Sequence, residues 1–394
     1  MSEIKVNSIK GVGASAAAIT VNNTDGTATA NLTNRQNRNV IINGDLQIAQ
    51  RSTSSTNVNY GSVDRWTCQQ GGLDEACTQA QVDVAEGTSP YGLGFRKAWK
   101  ITNGNQTSGA GASDYIELYQ YIEGHNMATC GWDYKNPNSK MTLSFWVKSS
   151  VAQKFPGFLY TTLANGTSVG YMYDYSIDNG GSNLTADTWT KITHTFPGNS
   201  NLNITNGTNY GLGFGIYLFS GTNLTTSRSP SNAWQVWSTS NKTPDVTSTW
   251  YTTNDATFEL TGVQLEVGPV ATPFEHRSFG DELIRCQRYY YRHATGNGKG
   301  ISENATQYNG STVFLSIPLP TEMRAQPTLE IANGSGYFVK YANNGPVYFN
   351  TLGRDGITTP RVLCINGTAS GTAGHACMIR TDDANSYVAA VAEL

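Results

Sequence analysis

At 394 residues, with 41 Gly and 13 Pro amid abundant Asn, Thr and Ser, the chain is long enough for two or three domains, and its turns are many. Charged residues make up 14% and the net charge is -3, which excludes a basic nucleic-acid footprint and a polybasic membrane patch. No run approaches the ~18 apolar residues of a membrane span, so membrane insertion by a helix is not expected.

The first 38 residues hold little apolar material: Ile4, Val6 and Ile9, then Ile19 and Val21, a turn at 22–26, and Leu32. Such sparse alternation suits short strands that intertwine with copies of themselves or dock on another protein; a disordered N-terminus is the bland alternative. Fully extended, the segment reaches on the order of 125 Å at about 3.3 Å per residue, enough for a stalk. The opening Met1-Ser-Glu-Ile-Lys-Val lacks the layout of a signal peptide, so synthesis in a cytosol is expected.

From 39 to 273 strands become frequent. Leu143, Phe145 and Val147 alternate with polar neighbours and with Trp146, and Leu212, Phe214, Ile216 and Leu218 alternate with Gly213, Gly215 and Tyr217, the period of half-buried strands. Between Phe258 and Val267 the alternation slips at Gly262, where a β-bulge would restore each side chain to its face. About ten such strands without alternating helices favour a jelly-roll-like β-sandwich, and the lack of a repeat of about 20–25 residues disfavours a β-helix.

Residues 274–293 form the expected linking helix. Ser278 is placed to N-cap it with Asp281 three residues on, and Leu283, Ile284, Cys286, Tyr290 and Tyr291 fall at helical spacing. A smaller C-terminal β domain follows over 294–394, with strands expected at 313–319, 328–332, 337–341, 347–352, 361–365, 376–380 and 387–391. Its last residues should be tied into a sheet. The fold class is therefore all-β: a stalk over 1–38, a sandwich over 39–273, a short helix over 274–293, and a second β domain.

The stretches Val40-Ile-Ile-Asn-Gly-Asp-Leu-Gln-Ile-Ala-Gln-Arg51, Asp64-Arg-Trp66, Ser144-Phe-Trp-Val-Lys-Ser149 and residues 258–292, with weaker support from Met323-Arg-Ala-Gln-Pro-Thr328 and Ala392-Glu-Leu394, resemble tail fibre and adhesin-like proteins of tailed bacteriophages, notably phages of marine bacteria such as cyanobacteria. The chain departs from that pattern at Leu46 and Ala49, where bulkier aromatics are usual. The resemblance implies a homotrimeric virion appendage that attaches the particle to the host surface, often through glycan, with residues 1–38 docking on another tail component. A structural tail or decoration role without receptor binding, or a polysaccharide depolymerase, are the alternatives.

Sugar recognition needs flat aromatic faces beside hydrogen-bonding groups, and the chain carries 8 Trp and 21 Tyr. Tyr171, Tyr173 and Tyr175 share one face of a strand, opposite Met172 and Asp174, as a sugar platform or as packing. Trp146 lies on an otherwise polar face and needs a cover, from a subunit contact or a ligand. Trp234, Trp237, Trp250 and Tyr251 fall in Ser/Thr-rich, loop-like sequence and are the glycan contacts the sequence favours. Carboxylates such as Glu117, Asp174 and Asp178 exist, but nothing in their spacing pairs them for hydrolysis, so catalysis is not expected. Gly109-Ala-Gly111 lacks the helix and lysine of a phosphate loop. The six cysteines (Cys68, Cys77, Cys130, Cys286, Cys364, Cys377) have no CxxC spacing and the five histidines are scattered, so neither a metal site nor a cofactor is expected; Cys364 and Cys377 are candidates to face one another.

Overall fold

Two antiparallel six-stranded sheets face each other across the principal core. In spatial order one holds Trp234–Val236, Tyr171–Ile177, Phe155–Thr161, Tyr210–Ser220, Tyr115–Glu123 and Thr67–Gly71; the other holds Thr190–Pro197, Lys140–Ser149, Thr257–Val267, Lys97–Thr102, Thr78–Asp83 and Ser54–Ser55. The chain passes repeatedly from one sheet to the other, so most strand neighbours are distant in sequence, as in a jelly roll. The computed structural model describes residues 6–12, 18–21, 24, 28–30, 36–161, 170–225, 228, 232–343 and 345–394. Ile4, Leu32 and most of the turn at 22–26 lie outside these residues.

The expected alternation sets the core. Leu143, Phe145 and Val147 meet Leu212, Phe214, Ile216 and Leu218 between the sheets, with Phe145 and Phe214 edge-on at 5.5 Å. The bulge falls where the sequence slips: Thr261 pairs with Trp146 but Gln264 with Ser144, and Gly262 takes φ +64°. A β-carbon at Gly262 would lie 2.6 Å from the ring of Phe95, so both the conformation and the space require glycine.

Residues 40–50 form no strand but an irregular, mostly buried segment. Asn39 ties Val263 and Leu265, Asn43 binds the backbone of Ile48 and Asp64, and Gln120 both donates to and accepts from the backbone of Ile42. Buried side-chain amides here replace the strand partners that the backbone would otherwise need. Leu46 sits in this segment at φ +60° and is fully buried.

The linking helix spans Phe279–Gln287, shorter than 274–293. Ser278 caps it, accepting from the Asp281 amide at 3.2 Å. Its buried face is Glu282, Cys286 and, just beyond, Tyr289, while Ile284 is exposed. Tyr290 and Tyr291 are not helical. They open the strand Tyr290–Thr295, which pairs with Tyr387–Val391; aromatic residues suit a strand, and this ladder takes precedence over the helical spacing.

That pairing belongs to a three-stranded sheet, Tyr290–Thr295, Tyr387–Val391 and Thr328–Ile331, beside a seven-stranded sheet that includes Gly300–Gln307, a strand the sequence did not disclose. Both enclose a second core of residues such as Phe338, Ile365, Ile379 and Val388. The final residues are tied down: Tyr60 donates to the Leu394 carbonyl at 3.1 Å. All six cysteines are free, and the strands of Cys364 and Cys377 are separated by two others, so they do not face one another. At the N-terminus, Ser8–Ile9, Ile19–Val21 and Ala28–Ala30 form a small antiparallel sheet; its Ile9 and the preceding Val6 are exposed. Among the described residues no helix is long and apolar enough to cross a membrane.

Candidate functional site

The outward face of the first sheet carries a row of rings. On Tyr115–Glu123, Ile116, Leu118 and Ile122 enter the core, so period two turns Glu117, Tyr119 and Tyr121 to the outer face; the same logic places Phe158 and Tyr160, Met172 and Asp174, and Tyr217 on that face. Tyr121 lies 4.5 Å from Tyr210, Tyr210 stacks on Tyr160 at 6.2 Å, and Tyr160 meets Trp237 edge-on at 5.6 Å. All four are half-buried, and Tyr119, Phe158, Met172 and Tyr217 pack as a buried layer beside them. Gly213 and Gly215 lie under this layer, where the rings of Tyr121 and Phe158 occupy the space of the missing side chains. Burial raises the phenol pKa of Tyr121 and Tyr160, so both stay neutral O–H groups at physiological pH.

The carboxylates on this face are held by cations. Glu117 pairs with Lys242 at 3.0 Å, and Asp174 pairs with Arg228, both members being fully buried. Burial pushes Asp174 up to about 6 against the pull of Arg228, and burial likewise raises Glu117 against Lys242. Among the described residues, Asp174 Oδ1 has no hydrogen-bond partner. No group of three or more His, Cys, Asp or Glu side chains suited to a metal occurs among the described residues.

Of the site residues read from sequence, only Trp237 joins this row. The tyrosine ladder does share one face, but that face is the core: Tyr173 packs edge-on to Phe196 at 4.9 Å, Tyr175 stacks on His194 at 5.1 Å, and Tyr171 lies half-buried against the same cluster. Trp234 is buried on the ring of Tyr173 and donates to the Pro197 carbonyl at 2.7 Å. Trp250 and Tyr251 sit in a short helix, Thr249–Thr252, and close one end of the sandwich core. Trp250 donates to the Thr257 carbonyl at 3.0 Å; Tyr251 stacks on Phe219 at 4.2 Å and donates to Asp114 at 2.8 Å. Trp250 and Tyr251 therefore present no ring face to solvent, because a polar-looking segment folds back over the sheets. Trp146 is covered only in part from within the chain, half-buried beside Phe95, Trp189 and Phe274.

Tyr121, Tyr160 and Tyr210 were missed. Their signal was present in the alternation of Ile116, Leu118 and Ile122 with Tyr119 and Tyr121, but the adjacency of Tyr121, Tyr210 and Tyr160 depends on strand order. A recess of about 850 Å³ lies elsewhere, between residues 36–38 and 273–285. It is an open cleft beside the N-terminal segment and holds none of these rings.

No protein-family model matches the chain, and no curated protein matches it. Among solved structures it is similar to the enzymatically active domain of tailspike protein 4 from bacteriophage CBA120, with 11% identity over 60% of this chain and a TM-score of 0.29; it spans 24% of that chain. It is also similar to a putative sugar-binding protein from Bacteroides thetaiotaomicron (14% identity, 58% of this chain, 100% of that one, TM-score 0.30). A family 11 carbohydrate-binding module of Clostridium thermocellum gives 13% identity over 57% of this chain and 98% of its own, at a TM-score of 0.26. Likeness at this level does not bear on function, which has to be read from the side chains of this chain.

Proposed function

We propose that this chain is a tail fibre protein of a tailed bacteriophage that attaches the virion to its host by binding surface glycan without cleaving it. The observation that carries the reading is the row Tyr121, Tyr210, Tyr160 and Trp237: four half-exposed rings crossing one sheet. A pyranose presents flat C–H patches to such rings and its hydroxyls to their O–H and N–H groups. The pairing of Glu117 with Lys242 and of Asp174 with Arg228 supports binding over hydrolysis, since a glycosidase needs one carboxylate free to ionise and another free to protonate.

A homotrimer with the N-terminal segment as its stalk is part of this proposal. The N-terminal sheet has strands of two or three residues with exposed Val6 and Ile9, too little to be stable alone, and copies of itself or a tail component would cover them. Linked copies raise avidity over single-site affinity by about 10²–10⁴, so weak individual sites suffice. Incubating the purified chain with host envelope polysaccharide, and assaying both retention and reducing-end release, tests the reading. Retention without release is expected; release that disappears when Asp174 or Glu117 is neutralised would replace it with a depolymerase.

A further inference from the structure

The opposite face of the sandwich carries a second recess that the aromatic row does not use. About 430 Å³ in volume, it lies over the outer side of the Gly262 bulge, where the segment 271–276 and residues Leu93 and Phe95 rise above the strand Lys140–Ser149. That size is within the range of small-molecule sites, about 300–1,000 Å³. One wall is an aromatic triad: Phe95 and Phe274 meet edge-on at 4.9 Å, and His276 lies 5.2 Å from Phe95 and 4.9 Å from Phe274. Facing it is the half-buried indole of Trp146.

Thr272 and His276, polar groups of the recess, are bonded within the chain, to Glu266 and to the Leu93 carbonyl, and three further groups are left over. Lys191, exposed at the rim, is the cross-strand neighbour of Trp146 and makes no ion pair among the described residues. The Ser144 hydroxyl, on a residue only 5% exposed, and the Trp146 indole N–H make no hydrogen bond among the described residues. No carboxylate lines the recess. Three groups able to donate, one of them cationic, thus line the recess together with aromatic rings. The complementary ligand is rich in acceptors, negatively charged at one end and apolar on one face.

We propose that this recess binds a carboxylated sugar residue of an acidic glycan, its C–H face against Trp146 and its carboxylate on Lys191. The choice of a sugar rests on the glycan-binding reading above; the preference for a negative charge rests on the recess alone. A charge-assisted hydrogen bond within an aromatic enclosure is stronger than its neutral counterpart, so the carboxylate should dominate selectivity.

The test compares methyl β-D-glucuronide with methyl β-D-glucoside, which differ at the carboxylate, by ligand-observed saturation-transfer NMR on the full chain. Saturable binding of the glucuronide is expected, at least about tenfold tighter than the glucoside. Lys191→Gln, an exposed change that leaves the fold intact, should abolish that preference, and Trp146→Phe should weaken the glucuronide while circular dichroism stays unchanged. Trp237→Ala, on the other face, should leave the preference in place. Equal binding of the two glycosides, absence of binding by either, or a preference that survives Lys191→Gln would overturn the proposal. In the unsubstituted protein, absence of a glucuronide preference with polysaccharide retention intact would sink this site alone; absence of retention with the preference intact would sink the aromatic row instead.

Discussion

Arg65 and Glu393, 328 positions apart, form an ion pair in which the arginine side chain is 1% exposed and the glutamate 7%. Arg65, at φ +72°, also lies 3.6 Å over the ring of Tyr289 and donates to the Tyr121 carbonyl at 2.7 Å, while Glu393 takes a second arginine, Arg51, at 3.1 Å. One guanidinium thus clamps the sandwich, the turn after the linking helix and the final residues. Removing it leaves a buried carboxylate with one partner fewer. Arg65→Met should destabilise the protein by about 3 kcal/mol in denaturant unfolding, and adding Glu393→Gln should restore part of that loss. A change below about 0.5 kcal/mol would mean that the pair is not structural.

The tryptophans should divide by burial. Trp250→Ala opens a cavity at the end of the core and should cost about 3–5 kcal/mol. Trp237→Ala, on the half-exposed row, should cost about 1 kcal/mol or less and show its effect in glycan retention. Thermal unfolding of the two variants checks the order.

Asp45 supplies a pH dependence. Burial, with the nearby charge of Glu282, pushes its carboxyl up to about 6 from 3.8. Because the folded protein binds this proton more tightly than the unfolded chain, the group's stabilisation is complete below the unfolded value and is lost as pH rises through about 6. Asp45→Asn should therefore stabilise at neutral pH by about 1–3 kcal/mol and flatten the stability profile between the two pKa values. Unfolding midpoints across that window decide it; a variant less stable than the parent at neutral pH would contradict it.

Gly262→Ala combines a strained φ with the close approach of Phe95. A loss of about 1–3 kcal/mol is expected in thermal or denaturant unfolding. Phe95→Leu in the same background should recover part of it by freeing the space.

Which strands form, and where the bulge falls, was legible because period-two alternation is local: Leu143 to Val147, Leu212 to Leu218 and the slip at Gly262 all stand in the sequence. Which face of a strand meets the core was less so. Tyr171, Tyr173 and Tyr175 share a face as expected, yet only pairing with Phe155–Thr161 and contact with Phe196 from the opposite sheet make it the inner one. Trp250 and Tyr251 were misplaced because Ser/Thr-rich sequence reads as exposed loop, whereas Asn103, donating to the Tyr251 carbonyl at 2.6 Å, and Gln153, accepting from the Trp250 amide at 2.9 Å, satisfy its backbone inside. The row of Tyr121, Tyr210, Tyr160 and Trp237 joins residues from three strands and one loop, and no local pattern brings them together.

The most direct test of glycan binding is retention of the full chain on immobilised host envelope polysaccharide, comparing the parent with Tyr160→Ala/Trp237→Ala. The double variant should remain folded by circular dichroism and lose most of its retention, because two of the four ring faces are gone. Retention equal to that of the parent, with the variant folded, would contradict the assignment of this face as the glycan-binding surface.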